Sequence, residues 1–270
     1  GVPMPEKLNA IVSSNPDDGF SVWTSKITQK FSVVTGQPFD KVNDKGAIVR
    51  LMVSFTGTGG PGENFAEAIL AEERLDEKGE ATFTESSYKA EVVASLNRFA
   101  QKANFGDGVP LKLSAYVLDK AGNKSQQQNL TFSGNSDTAK FVLDVQAPSA
   151  PTNVQLDTGS DTGRDTGSTT TDNITALSHP VVIVTGGTIG SVISLWSDAG
   201  HTQLLGRGQV EALSNVAGNN GARITLSAIL QSGDNTLYAT VLDQAGNKSV
   251  GDKSLQVTYL KPIDGNTPLK

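Results

Sequence analysis

Hydrophobic and polar residues alternate along much of this chain, with the period of two that a β-strand requires. In residues 111–118, one face carries Leu, Leu, Ala and Val, and the other carries Lys, Ser and Tyr. A turn follows at residues 119–123, where Gly122 is free to take a positive φ. The same strand and turn recur at residues 235–247. Further strands are predicted at residues 47–55, 140–145, 180–185, 192–196, 222–230 and 253–259.

One phrase of the sequence occurs twice. Residues 113–125 read LSAYVLDKAGNKS and residues 237–249 read LYATVLDQAGNKS, so ten of thirteen positions are identical at an offset of 124. A second pair of segments, 31–36 and 181–186, matches in pattern at an offset of 150. The sequence therefore predicts one module used twice, with about 26 extra residues in the first copy. With about seven strands in 120 residues, each copy is typical of an antiparallel β-sandwich.

The boundary between the copies is predicted at residues 147–151, where two prolines in four residues would make a stiff, extended connector. The predicted domains are residues 1–146 and 147–270. A chain of 270 residues is long enough for two such domains, each with a modest core.

Two stretches of the first copy depart from simple alternation. Residues 63–80 are rich in helix formers, but residues 79–84 resemble a strand opening at 221–225, so we expect strand, turn and strand there rather than a helix. Residues 76–79 would then form a hairpin turn. Residues 87–102 have apolar residues at helical spacing, and we expect a short inserted helix there.

The composition excludes several classes of function. The chain has no Cys, which removes thiol nucleophiles, thiolate zinc sites and disulfides, and only two His. Its net charge of −6 argues against binding to nucleic acid, which needs clustered Lys and Arg. No apolar run is long enough to span a membrane, so no membrane insertion is expected. No leader opens the chain, and we expect a mature fragment or an internal segment.

Five phrases follow one another in a fixed order from residue 142 onward, across the boundary and through the second copy. They are VLD at 142–144 before an Ala-Pro linker, LDTGSDTG at 156–163, DNIT at 172–175, VTG at 184–186 and DQAGN at 243–247. Together they resemble the bacterial immunoglobulin-like (Big) repeats of giant RTX-type and biofilm-associated surface adhesins, which type I secretion exports. The first copy keeps only DKAGN at 119–123 and the exit at Asp144, so it resembles a diverged repeat.

The resemblance implies two tandem immunoglobulin-like β-sandwiches on the outside of a bacterial cell. The implied role is a non-catalytic, extracellular stalk that holds a distal binding domain away from the surface, as a monomer whose partners are neighbouring repeats of the same chain. The alternative is a ligand-binding module, in which the glycine-rich loop and the insertion of the first copy grip a glycan or a host protein. An accessory domain of a secreted polysaccharide-degrading enzyme would resemble the stalk in sequence.

The acidic loop of the second copy is the main candidate for chemistry. Its four aspartates fall within sixteen residues, and clustered carboxylates repel one another unless they are solvated or bridged by a cation. Ca²⁺ takes six to eight hard oxygen ligands in flexible geometry. The spacing alone favours a solvated acidic loop with Asp and Asn as turn formers, and the resemblance favours a Ca²⁺ site.

In an immunoglobulin-like topology the turn between the last two strands lies at the N-terminal end of its module. A cation at the junction of the two modules would then be held by Asp144, Asp243 and part of the acidic loop. The equivalent turn of the first copy contributes one further candidate. The predicted metal ligands are Asp119, Asp144, Asp157, Asp161, Asp165, Asp172 and Asp243.

Catalytic motifs are absent from the sequence, so we expect no enzyme activity. No His has an acidic partner at a motif spacing, and His179 and His201 are expected at the surface. Trp23 and Trp196 could stack on sugar rings, but a tryptophan in the core of a sandwich is the simpler interpretation.

Overall fold

The computed structural model of the chain describes residues 5–9, 21–28, 30–35, 44–57, 64–102, 108–130, 140–163, 172–214 and 220–261. The chain divides into two compact units, Gly1–Gln146 and Ala147–Lys270. Each unit has its own hydrophobic core, which collects buried residues from two sheets. Both units are immunoglobulin-like β-sandwiches, and the fold class predicted from the sequence is confirmed.

The first unit contains nine described strands in two sheets. A three-stranded sheet has the order β1-β3-β6, and a larger sheet has the order β2-β9-β7-β4-β5, with β8 also paired to β7. The strands β2 and β9 are parallel, and the other pairs are antiparallel. Their bounds are β1 Pro5–Asn9, β2 Ser21–Thr24, β3 Phe31–Thr35, β4 Ile48–Phe55, β5 Phe65–Arg74, β6 Glu80–Phe83, β7 Val109–Leu118, β8 Gln128–Asn129 and β9 Lys140–Leu143.

The second unit contains nine described strands in a four-stranded sheet, β10-β12-β16-β15, and a five-stranded sheet, β11-β18-β17-β13-β14. The strands β11 and β18 are parallel. Their bounds are β10 Asn153–Leu156, β11 Ile174–Thr175, β12 Val181–Thr185, β13 Val192–Trp196, β14 Leu204–Gln209, β15 Glu211–Ala212, β16 Asn220–Thr225, β17 Gly233–Leu242 and β18 Lys253–Tyr259.

Most predicted strands are present, and β13 and β18 have the bounds that alternation gave them. The strand predicted at 222–230 is shorter, because β16 ends at Thr225. Beyond that point the amide of Leu226 donates to the carbonyl of Pro180, and the amide of Ser227 donates to the carbonyl of Leu205. These bonds take the chain out of the β-ladder, so residues 226–230 form a connecting segment.

Within residues 64–80 the chain forms a strand and a turn rather than a helix, as predicted for 63–80, with β5 at Phe65–Arg74 and β6 beginning at Glu80. Strand β5 has irregular register against β4 at two places, which explains why its apolar residues do not alternate cleanly. The predicted hairpin is wrong, because β5 and β6 belong to different sheets. The turn after β5 therefore carries the chain from one face of the sandwich to the other.

The predicted inserted helix is α1, Ala90–Ala100, which follows a short 3₁₀ turn at Glu85–Ser87. Leu96 and Phe99 of α1 are buried in the core of the first unit. The ring of Phe99 makes edge contacts with Phe55 at the end of β4 and with Phe65 at the start of β5, at centroid distances of 5.8 and 5.6 Å. No described helix has the length and the apolarity needed to cross a membrane.

The C-terminal end of α1 is held by the segment that leaves the first unit. The side-chain amide of Gln146 donates to the carbonyls of Ala100 and Lys102, at 3.0 and 3.1 Å. The last turn of any helix leaves its carbonyls without an intrahelical donor, and Gln146 supplies one to Ala100. The inserted helix is therefore an integral part of the first unit.

We expect Leu96→Ala to destabilise the first unit, because this fully buried side chain would leave a cavity in the core. The expected loss is about 2–5 kcal/mol in the free energy of unfolding, measured by urea denaturation of the full chain. The matched control is Glu91→Ala, an exposed position on the same helix, which should change stability by less than about 0.5 kcal/mol. Equal effects of the two substitutions would show that α1 is not part of the core.

Candidate functional site

The acidic loop of the second unit joins β10 to β11, and one of its aspartates is buried. Asp161 is only 4% exposed. Its Oδ2 accepts a hydrogen bond from the amide of Asn173 at 3.2 Å. Its Oδ1 is buried and has no hydrogen-bond partner among the described residues. A buried carboxylate oxygen without a donor is costly, so this position calls for a proton or a cation.

A second carboxylate lies beside Asp161. Asp172 accepts the amide of Ile174 at 3.0 Å, and its side chain faces that of Asp161. Burial raises the pKa of Asp161 above its ordinary value, and the neighbouring Asp172 carboxylate raises that pKa further. Two ionised carboxylates can only accept hydrogen bonds, so the pair is stable when one proton is shared or when a cation lies between the two groups.

The base of this loop is closed by hydrogen bonds between its two ends. The amide of Gly163 donates to the carbonyl of Ile174 at 3.0 Å, and the amide of Ala176 donates to Oγ1 of Thr162 at 2.8 Å. Asn173 takes a positive φ of 58°, a conformation that Asn tolerates better than most residues. The backbone thus fixes Asp161 and Asp172 in contact.

The structure separates Asp157 from this pair. Its Oδ1 accepts the amide of Gly159 at 3.0 Å, and its Oδ2 forms an ion pair with Arg223 on β16. Asp157 is therefore neutralised inside the protein, although it belongs to the same run of sequence as Asp161. The predicted ligand Asp165 lies outside the described residues.

The two repeated turns hold their aspartates in the same way. Asp119 and Asp243 each accept the backbone amide of the Asn four residues later at 2.7 Å, and each accepts the side-chain amide of that same Asn. Hydrogen bonds from Asn123 lower the pKa of Asp119, whereas burial raises the pKa of Asp243. Both carboxylates are thus engaged within their own turns.

The remaining predicted ligand, Asp144, is buried at the end of the first unit. Its Oδ1 accepts the amide of Gln146 at 2.9 Å, and its own amide donates to the carbonyl of Thr24. No three His, Cys, Asp or Glu residues are grouped as metal ligands anywhere in the described ranges. Asp161 and Asp172 are the predicted ligands that the structure brings together.

One polar cluster was missed by the sequence analysis. Nε2 of His201 lies 2.8 Å from Oδ2 of Asp252, and Nδ1 of the same ring lies 2.9 Å from Nζ of Lys248. The ring of His201 is tilted against that of Trp196, at a centroid distance of 5.9 Å. Because 51 residues separate His201 from Asp252, no motif spacing could have revealed the pair.

This cluster corrects two expectations. His201 was expected at the surface, but its side chain is only 17% exposed and both ring nitrogens are engaged. Trp196 was expected in the core, but it is half-buried outside the described core cluster, and its indole N–H donates to Oγ1 of Thr240 at 3.0 Å. Trp23 is also half-buried, and His179 is exposed as expected.

A comparison with models of known protein families finds a match in the second unit. Residues 148–259 match the family model described as a bacterial Ig-like domain, which covers most of the second unit. No curated protein matches the sequence.

Solved structures give remote similarities. A tetra-tandem repeat in the extending region of a large adhesion protein is 16% identical with a TM-score of 0.27, covering 94% of this chain and 49% of that one. A 1.5-MDa bacterial ice-binding adhesin is 16% identical with a TM-score of 0.33, covering 96% and 66%. The fibronectin(III)-like modules of Clostridium thermocellum CbhA are 10% identical with a TM-score of 0.30, covering 91% and 93%. The chain thus spans about half the length of the adhesion-protein structure.

The raised pKa of Asp161 gives a prediction for the protein in EDTA. A carboxyl whose pKa is higher in the folded state stabilises that state below its unfolded pKa and loses this contribution as pH rises through its folded pKa. At pH 7 in EDTA the ionised Asp161 no longer makes this contribution. We expect Asp161→Asn to raise stability at pH 7 by about 1 kcal/mol, because the new amide is uncharged and can donate to Asp172. Thermal melts between pH 5 and pH 7.5 measure the effect.

The matched control is Asp157→Asn in the same loop. This substitution leaves Arg223 without its carboxylate partner and should lower stability at pH 7. If Asp161→Asn also lowers stability at pH 7 in EDTA, the two carboxylates do not repel each other in the folded protein.

Proposed function

We propose that this chain is a pair of tandem Ig-like modules from the extending region of a bacterial surface adhesin, with a mechanical and non-catalytic role. The match of residues 148–259 to a bacterial Ig-like domain carries the proposal. The repeated phrase extends it to the first unit, because residues 113–125 and 237–249 build the same central strand and closing turn. Modules in series that contact only their neighbours are suited to a rod.

The proposed role includes binding of calcium by the acidic loop of the second unit. Asp161 and Asp172 would hold the ion, since their carboxylates are already in contact and one oxygen of Asp161 has no partner among the described residues. Bound Ca²⁺ would neutralise both charges. Two carboxylates provide only part of the six to eight oxygens that Ca²⁺ takes, and backbone carbonyls and water would provide the others.

The sequence placed the cation at the junction of the modules, with Asp144 and Asp243 as further ligands, and this stays a prediction. The described contacts favour the loop alone. Both oxygens of Asp243 accept hydrogen bonds from Asn247, and Oδ1 of Asp144 accepts the amide of Gln146. Asp119 is engaged with Asn123 in the same manner as Asp243 with Asn247. Recruiting any of these residues to a metal would break a formed turn.

The alternative function, ligand binding by loops of the first unit, has no supporting contact among the described residues. The insertion contributes Leu96 and Phe99 to the core, so α1 is used for packing rather than presented to a partner. Most of the glycine-rich loop lies outside the described residues. A glycan array with the full chain would test this alternative.

Location and export follow from the proposed role. An adhesin module would work outside the bacterial cell, in contact with neighbouring repeats of its own chain and as a monomer. Export by type I secretion and a part in biofilms belong to the same proposal. They rest on the resemblance of residues 142–260 to repeats of that class.

Calcium is expected to raise the melting temperature of the wild-type chain by several degrees relative to EDTA. A ligand that binds only the folded state stabilises it by RT ln(1 + [L]/Kd), which is about 2.7 kcal/mol at a hundredfold excess over Kd. Asp161→Asn should abolish this increase, whereas Asp157→Asn should retain it. Identical melts of the wild-type chain in millimolar CaCl₂ and in EDTA would refute calcium binding.

A separate measurement tests the mechanical role. Small-angle scattering of the full chain is expected to show less variation in the distance between the two units with calcium than in EDTA, on the prediction that Asp144 and Asp243 share the ion with the acidic loop. The same comparison on Asp161→Asn should show no calcium effect. Equal flexibility of the wild-type chain in both buffers would leave calcium as a stabiliser of one unit and would contradict stiffening.

A further inference from the structure

The second unit contains an open cleft of about 440 Å³ at one end of its sandwich. One wall is the segment between β13 and β14, and the other is formed by residues 228–231 and the start of β17. The wall at 228–231 is fixed by hydrogen bonds, since the amide of Leu230 donates to the carbonyl of Ser178 and the hydroxyl of Ser227 donates to the carbonyl of Leu205. The cleft is therefore built by the fold, and its volume lies within the range of small-molecule sites, about 300–1,000 Å³.

The first unit fills the corresponding place with its own side chains. There the ends of β4 and β5 correspond to the ends of β13 and β14, and the inserted helix corresponds to residues 226–232. Phe99 of α1 packs there against Phe55 and Phe65. In the second unit, residues 226–232 form no helix and include no aromatic residue, and none of the residues that line the cleft is aromatic.

Some polar residues of the cleft are used to build it. Asn235 accepts the amide of Gln231 and donates to the carbonyls of Gln231 and Gly233, so its side chain is fully occupied by the turn before β17. Asp234 accepts the hydroxyl of Thr258 through Oδ1 at 2.7 Å. These bonds fix the backbone and orient the carboxylate, and they leave Oδ2 of Asp234 without a bond among the described residues.

Other polar groups remain available along the cleft. The hydroxyl of Ser197 donates to Oε1 of Gln203, a residue that lines the cleft, and the side-chain N–H groups of Gln203 make no hydrogen bond among the described residues. Within the described ranges, the side chains of Gln231 and Thr236 have no hydrogen bond. Beside them Ile229 is 62% exposed, and an exposed isoleucine next to amides gives the cleft one apolar strip.

We propose that this cleft binds a neutral sugar, one or two hexose rings in size. Amides and a hydroxyl both donate and accept, which matches the hydroxyl groups of a sugar, and the free oxygen of Asp234 can accept from such a hydroxyl. The strip at Ile229 matches the C–H face of a sugar ring. No Lys, Arg or His lines the cleft, and its carboxylate repels anions, so a phosphate, sulfate or uronate is disfavoured.

This proposal is independent of the calcium and stalk proposal, because it uses none of the acidic loop. The test is saturation-transfer-difference NMR of the full chain with glucose, galactose, mannose, N-acetylglucosamine and lactose, and with glucuronate as the charged probe, each at about 20 mM. Affinity is expected in the millimolar range, since few hydrogen bonds and little buried area are available.

At least one neutral sugar should receive saturation, and glucuronate should not. The double variant Gln203→Ala/Gln231→Ala should weaken binding about tenfold or more, because both amide contacts are lost. The matched control is Gln155→Ala/Gln209→Ala, which removes two exposed amides outside the cleft and should leave binding unchanged. Thermal melts of both variants check that they fold like the wild-type chain.

Three results would overturn the proposal: no transfer to any neutral sugar, equal transfer to glucuronate and glucose, or equal binding by the two double variants. If the cleft variant fails to fold, Asp234→Asn replaces it, since Asn keeps an acceptor for Thr258 while removing the charge. Binding that is unchanged in Asp234→Asn and competed by glucuronate would likewise exclude a site of this chemistry.

Discussion

Each unit depends on one strand that is hydrogen-bonded along both of its edges. Strand β7 lies between β4 and the pair β8 and β9, and β17 lies between β13 and β18. Both strands place Leu, Ala and Val at alternate positions, and these side chains are at most 1% exposed. After the turn, a serine hydroxyl accepts a hydrogen bond from the amide of the Val. Ser125 accepts from Val117 in the first unit, and Ser249 accepts from Val241 in the second. Because this strand is paired on both sides and buries one whole face in the core, its sequence is the part that both units share. The surrounding connections could diverge, and one acquired a helix where the other left a cleft.

The strands could be predicted from the sequence because period-two alternation is a local property, and the bounds of β13 and β18 follow from it directly. The assignment of strands to sheets could not be predicted in the same way. Strands β5 and β6 are neighbours in sequence, but they pair with different partners because each buries its apolar face from an opposite side of the core. Contacts between distant residues were also inaccessible. Asp157 and Arg223 lie 66 residues apart, and His201 and Asp252 lie 51 apart, so no spacing rule connects them.

The candidate site shows how a repeated motif can preserve geometry without preserving electrostatics. Asp119 and Asp243 make equivalent hydrogen bonds, but their pKa values move in opposite directions, because the hydrogen bonds dominate at Asp119 and burial dominates at Asp243. The acidic loop shows the same separation within one run of sequence. Asp157 contacts the guanidinium of Arg223 and Asp161 lies beside a second carboxylate, although each of these two aspartates is followed by Thr and Gly. The residue types were sufficient to suggest a cation site, and tertiary placement was needed to select the pair.

The parallel pairing of β11 with β18 has a mechanical consequence. Strand β18 is the last described strand of the second unit and β11 follows β10 and the acidic loop, and the two are joined by bonds such as those from the amide of Thr258 to the carbonyl of Asn173 and from the amide of Leu260 to the carbonyl of Thr175. A pull on both ends would slide the strands past each other along their common axis, so the bonds would be loaded together in shear rather than broken one after another. Asp172 lies just before β11, so a force that reaches β11 from its N-terminal side passes through Asp172. A crosslink from Asp172 to Asp161 would therefore act on the force at which the unit yields.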